Sequence, residues 1–125
     1  MKPELEQKIY EIAPILYTQK DMSMMHTCMC WGIECPDDWF GVIYELSKQL
    51  EDLNTKYKDK HIEVQAVQVK EKFNSLRFYV DIKCEDNNDK HIRELFESEV
   101  YDLIDIAEED IYLEEKIKGI MNEDY

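Results

Sequence analysis

A chain of 125 residues is long enough to enclose one hydrophobic core and too short for two ordinary domains. Its 44% hydrophobic content supplies a core despite 35% charged residues, which counts against wholesale disorder. The formal charge of −14 repels phosphate backbones and anionic lipid heads and favours encounters with basic protein surfaces, so direct nucleic-acid and membrane binding are set aside.

The start, Met1-Lys2-Pro3-Glu4-Leu5-Glu6, is charged and lacks the apolar core of a secretion signal, and no run approaches the roughly 20 apolar residues that cross a bilayer. A cytosolic protein is expected, with Cys28, Cys30, Cys35 and Cys84 as reduced thiols. Leu5, Ile9, Ile12 and Leu16 then recur at helical spacing behind Pro3, a residue suited to a first helical turn. Pro14 predicts that this helix stops or bends near Ile12, with an irregular exit through Tyr17.

Residues 18–38 form a Cys/Met-rich loop. Behind it, Trp39, Ile43, Leu46, Leu50, Leu53 and Tyr57 repeat at spacings of four and three, a continuous apolar stripe for a helix over 39–58. Pro36, Asp37 and Asp38 mark its start, with either aspartate able to accept bonds from first-turn amides. From His61 the period becomes two. Ile62, Val64 and Ala66 alternate with Glu63 and Gln65, and then Val67 and Val69 take the other parity, which predicts a bulge near Ala66-Val67. Leu76, Phe78, Val80 and Ile82 continue as a second strand, so 61–83 reads as an antiparallel hairpin linked by Phe73-Asn74-Ser75, with Asn74 left-handed.

After a polar break at Glu85 to Asp89, residues 90–121 form an acidic helical region. Ile92, Leu95, Phe96, Val100, Leu103, Ile104 and Ala107 give its apolar side, which Ile111, Leu113, Ile117 and Ile120 extend or repeat as a fourth helix; Asn122 to Tyr125 are expected to fray. The segment from Glu85 onward holds fifteen acidic and four basic side chains, so it carries −11 of the −14. Glu94, Glu97, Asp102, Asp105, Glu108 and Glu109 project to the side opposite the apolar one, forming an acidic ridge. The order α-α-β-β-α(-α) predicts one α+β domain over 1–125, with helices on one face of a small antiparallel sheet.

The densest chemical segment gathers His26, Cys28, Cys30 and Cys35 within ten residues. Its Cys-x-Cys-x4-Cys spacing departs from the paired Cys-x2-Cys of zinc sites, and thiols beside thioethers such as Met24 and Met25 also fill irregular cores, so the reading is core packing, no cofactor and no enzyme, with a metal-binding regulator or enzyme as the alternative. No catalytic residue is assigned. His26 stands too close to Cys28 along the chain to face it as a base without a turn, and the sequence has no Gly-rich phosphate loop, no Gly-x-Ser-x-Gly and no His-Glu-x-x-His. In the hairpin, Lys70, Lys72 and Arg77 interleave with Phe73, Phe78 and Tyr79, a small patch for nucleic acid that salt-bridged strand residues explain better; a further alternative function is a pocket for a small nucleotide signal lined by Lys70, Lys72, Arg77 and Trp31.

Two blocks, Thr27 to Cys35 followed by Asp38-Trp39, and Gln68 to Tyr79, resemble a family of small uncharacterised bacteriophage and prophage proteins over roughly residues 20 to 110. In that family a Gly commonly stands at the place of Asn74, and another near Asp37 and Asp38. Relatives often carry a Cys-x-x-Cys knuckle after the third helix, where this chain has the acidic extension Asp110 to Tyr125. The resemblance implies a viral protein acting in the host cytoplasm. With the charge, it leads to an expected function: an anti-CRISPR-like, anti-defence inhibitor that mimics nucleic acid and docks its acidic helix on the basic groove of a host nuclease or CRISPR effector.

Overall fold

Pro3 occupies the start of the first helix, α1 (Pro3–Ile12), and the chain leaves the helix at Ala13, where Pro14 denies it a further amide donor. The computed structural model describes residues 1–85 and 87–123, the side chains of Asn122 and Glu123 excepted. The exit after α1 is held from outside: one carboxylate, Glu51, accepts the backbone amides of Ile15 at 3.0 Å and Leu16 at 2.9 Å. Leu16 and Tyr17 thereby enter the core, where the Tyr17 hydroxyl meets Ser47 Oγ at 2.6 Å.

The predicted central stripe produces α2 (Phe40–Lys56). Trp39, Ile43, Leu46, Leu50 and Tyr57 are all buried, and Leu53 packs against them. The expected capping by aspartate is overturned. Asp37 to Trp39 form a single 3-10 turn ahead of the helix, with no side-chain cap. Both carboxylates serve distant partners instead: Asp37 accepts the Lys2 backbone amide at 2.7 Å, and Asp38 pairs with Lys118.

The hairpin is β2 (Ile62–Lys72) and β3 (Ser75–Cys84), antiparallel throughout, with the register shifting between Ala66 and Gln68 where the sequence parity changes. The link is two residues, not three, because Ser75 already pairs with Lys72. Phe73 (φ 53°) joins Asn74 (φ 62°) in the left-handed region, the double requirement of a two-residue primed turn. A third strand, β1 (Ile33–Glu34), lies within the stretch expected to be loop. It pairs parallel to β2 through Ile33↔Val69 and Glu34↔Lys70, giving a mixed sheet in the order β1-β2-β3. Gly32 (φ 78°) admits this strand, since a Cβ there would stand 2.5 Å from Glu6 Oε1.

The bulge leaves backbone groups that the exit segment and the loop after it satisfy. Leu16 carbonyl accepts the Ala66 amide at 2.7 Å, and the Thr27 hydroxyl donates to Val67 carbonyl at 3.3 Å. Before the bulge on β2, buried Asn54 of α2 brackets Val64, donating to its carbonyl at 3.0 Å and accepting its amide at 2.7 Å. Asp89 accepts the amides of His91 and Ile92 and so opens α3 (Lys90–Glu123), a single helix with no fourth. Of the tail expected to fray, Asn122 and Glu123 are helical in backbone, while Asp124 and Tyr125 lie outside the described residues. The class is α+β, with the helices packed against the sheet.

Candidate docking surface

At 34 residues, α3 is about 51 Å long, and the last of its buried apolar residues is Ile111. Phe96, Val100, Ile104, Ala107 and Ile111 follow one another at three or four residues and are all buried. They form the face that seals the core, and Phe96 meets Tyr57 edge to face with ring centroids 5.0 Å apart.

The predicted ridge does not behave as one unit. Asp102, Asp105 and Glu109 are exposed, and none of the three has a cationic side chain within 4.0 Å among the described residues. Glu94 is exposed but paired with Lys90 at 3.8 Å. Glu97 is half-buried. Glu108 is half-buried as well and turns toward β3, lining a cleft of about 370 Å³ with Arg77, Asp105 and Tyr112. Loss of water there holds its carboxyl above the usual range, and the charge of Asp105 adds to the rise, while Arg77 and the Phe78 amide oppose it. The unpaired acidic surface is therefore centred on Asp102, Asp105 and Glu109. Asp110 and Glu114, which the ridge omitted, are also exposed.

The expected apolar side of α3 needs a larger correction. Leu95, Leu113, Ile117 and Ile120 are 55%, 45%, 56% and 53% exposed, and Ile106 is 60% exposed. They lie about a quarter turn or more from the buried row, at roughly 100° per residue, so they cannot reach the core that Phe96 and Ile111 fill. Ile106, Leu113 and Ile120 stand seven residues apart and so share a side of the helix, but the buried pairs Val100/Ala107 and Ile104/Ile111 have the same spacing. Beside the exposed row, α2 and α3 diverge into a cleft of about 250 Å³.

The end of α3 is tied back by polar contacts. Trp39 Nε1 donates to Glu115 at 2.9 Å, and Lys118 donates to Glu115 at 3.0 Å while pairing with Asp38. Those bonds stabilise the carboxylates and lower the pKa of Asp38 and Glu115.

The other candidate residues are dispersed. Met29 and Cys35 are core residues, and burial, reinforced by the charges of Glu71 and Glu34 against the opposing N-terminus, pushes the Cys35 thiol up to about 12. Cys28 is exposed, Cys30 is half-buried with its thiol toward Thr27 carbonyl, and His26 is exposed, its Nδ1 2.9 Å from Ser23 Oγ. Among the described residues no three His, Cys, Asp or Glu groups are gathered for a metal ion. In the hairpin, Lys70 stands opposite Arg77, and Tyr79 opposite Gln68, while Phe78 takes the other face and is buried. Trp31 is 60% exposed but lines a different cleft, with Glu6, Tyr10 and Lys20, from the one Arg77 lines, so the imagined nucleotide pocket is not assembled.

No described helix is long and apolar enough to cross a membrane. Comparison with known proteins returns no matching family model, no matching curated protein and no matching solved structure.

Proposed function

We propose that this chain is a phage-encoded acidic binding protein that works in the host cytoplasm by docking α3 onto a cationic groove of a nuclease or CRISPR effector, blocking nucleic acid from it. The observation that carries the reading is the set Asp102, Asp105 and Glu109, exposed on a rigid helix and without an ion pair among the described residues. Carboxylates three and four residues apart lie about 5–6 Å from one another, a spacing at which fixed charges can take the places of phosphates. They are part of a net charge of −14, which speeds association with a basic surface and makes it sensitive to salt.

The test is a cleavage assay with nucleases and CRISPR effectors of the host, run with increasing amounts of the protein at low and high salt. Wild-type protein inhibits at least one enzyme at low salt and loses potency steeply as salt rises. The triple variant Asp102→Asn/Asp105→Asn/Glu109→Gln, folded by circular dichroism, inhibits at least tenfold less. Inhibition unchanged by the triple variant, or absent with wild-type protein across the panel, overturns the proposal.

A further inference from the structure

The cleft between α2 and α3 and the exposed apolar row of α3 form one strip. Gly41 opens one wall of the cleft: a Cβ built there meets nothing within 4 Å. Val42, Leu46, Leu103 and Ala107 make the lining apolar, and Glu45 and Asp110 give it two acidic groups. Beyond the cleft, Leu113, Ile117 and Ile120 continue the strip. Positions 103, 106, 110, 113, 117 and 120 step by three and four, the spacing of a helix-pairing seam, with Asp110 in an otherwise apolar slot. From Leu103 to Ile120 this seam runs about 26 Å.

We infer that the partner segment seated on this strip is a basic amphipathic helix, its apolar face on Leu103, Ile106, Leu113 and Ile117 and its Lys or Arg side chains on Glu45 and Asp110. The inference rests on the proposal that the partner is cationic and names the element of the partner that makes contact. Charge complementarity selects this occupant. A second copy of the chain would bring its own Asp110 into the seam and set −14 against −14. A nucleic acid would leave the apolar row uncovered and meet only carboxylates at the rim. A cationic helix satisfies both features, as amphipathic helices do when they lie in apolar grooves.

The probe is a labelled synthetic peptide of three Leu/Lys heptads, with a scrambled peptide of the same composition as control, titrated with the full chain by fluorescence anisotropy. The amphipathic peptide binds at least about tenfold more tightly than the scrambled one. Gly41→Leu, whose Cβ enters the cleft with nothing within 4 Å of it, weakens binding by at least about tenfold and keeps or raises the unfolding midpoint. Leu113→Ser/Ile117→Ser does the same from exposed positions. Equal binding of the two peptides, or full binding by Gly41→Leu, overturns the docking inference and leaves a purely electrostatic partner in place. Failure of both peptides to bind at low salt sinks the cationic-partner proposal along with it. A dimer in sedimentation that Leu113→Ser/Ile117→Ser dissolves assigns the strip to a second copy and overturns the inference.

Discussion

The helices α2 and α3 carry apolar residues of equal regularity but meet different surroundings. On α2, the row from Ile43 to Leu50 is buried together with two polar residues, Ser47 and Asn54, each of which finds a partner inside. On α3, one apolar row is buried as far as Ile111, and a second, from Leu95 to Ile120, faces outward. Periodicity states that side chains share a face. Whether that face is covered depends on where the neighbouring elements lie around and along the helix: Leu95 and Ile106 stand level with the buried row but on another side, and Leu113, Ile117 and Ile120 lie beyond Ile111 as well. A helix that keeps apolar residues on an uncovered face forgoes the hydrophobic gain of burying them, and this outward row is the surface the proposed partner helix would cover.

Adjacent residues on α3 break or confirm this contrast most directly. Phe96 is fully buried against Tyr57, and Leu95 is 55% exposed. Phe96→Ala should cost about 3–5 kcal/mol through lost burial and a cavity, whereas Leu95→Ala should stay within about 0.5 kcal/mol. Urea unfolding midpoints of the two variants check this, and equal losses would mean that the outward row is covered after all.

Much of this was legible in the sequence where a pattern repeats often enough to overrule alternatives. The α2 stripe spans five turns, the alternation from Ile62 to Ile82 spans two strands, and the parity change at Ala66-Val67 is the bulge itself. Strand β1 was not legible, because two residues have no period and its pairing with Val69 and Lys70 is long-range. The aspartates before α2 have the chemistry of caps, but the nearness of Lys2 and Lys118 redirects them, and nearness in space is not written at positions 37 and 38. For the candidate site, the sequence supplied the acidic side of α3 as a whole. It did not separate Glu94, which is paired with Lys90, and half-buried Glu108 from Asp102, Asp105 and Glu109, which are exposed and make no ion pair among the described residues. Nor did it distinguish Ile111 from Leu113.

The polar residues buried with α2 sharpen the contrast from the other side. Asn54→Ala removes both bonds to Val64 and leaves a buried amide and carbonyl unpaired, an expected loss of about 2–3 kcal/mol. Denaturant unfolding measures it, and amide exchange at Val64 should rise in parallel. If the variant is as stable as the parent, the bracketing of β2 by α2 contributes little.

Alkaline titration probes the same side of the core. Cys35 and Tyr17 are buried and Tyr10 is half-buried, and for each of the three loss of water is the main cause of an upward shift, with Tyr10 held up further by its bond to Glu6. The folded chain keeps these protons after the unfolded chain has released them, so stability falls as pH rises past the ordinary values of 9.0 for the thiol and 10.0 for the phenols. Each such proton steepens the fall by about 1.4 kcal/mol per pH unit. The Cys35 contribution ends near pH 12, where the folded thiol itself ionises. Cys35→Ala should flatten the dependence from pH 9 upward, read from denaturant midpoints at successive pH values, and an unaltered slope would remove Cys35 from the cause.

The smallest effect concerns the end of α3, where polar ties replace the apolar cover that α2 enjoys throughout. Lys118 holds Glu115 and Asp38 together beside the Trp39 indole, and its own pKa is raised by those two carboxylates. Both partners are at the surface, so water competes for each bond and the global unfolding midpoint of Lys118→Met should match the parent within error. The local consequence should be visible. Amide exchange over residues 115–121 should quicken roughly two- to fivefold, while exchange around Phe96 and Val100 is unchanged. A change confined in that way places the tie in the last turns alone. If exchange quickens along the whole helix instead, the Trp39–Glu115–Lys118 contacts hold α3 on the body as a unit, and the division between its covered and uncovered parts is less sharp than the burial of its side chains indicates.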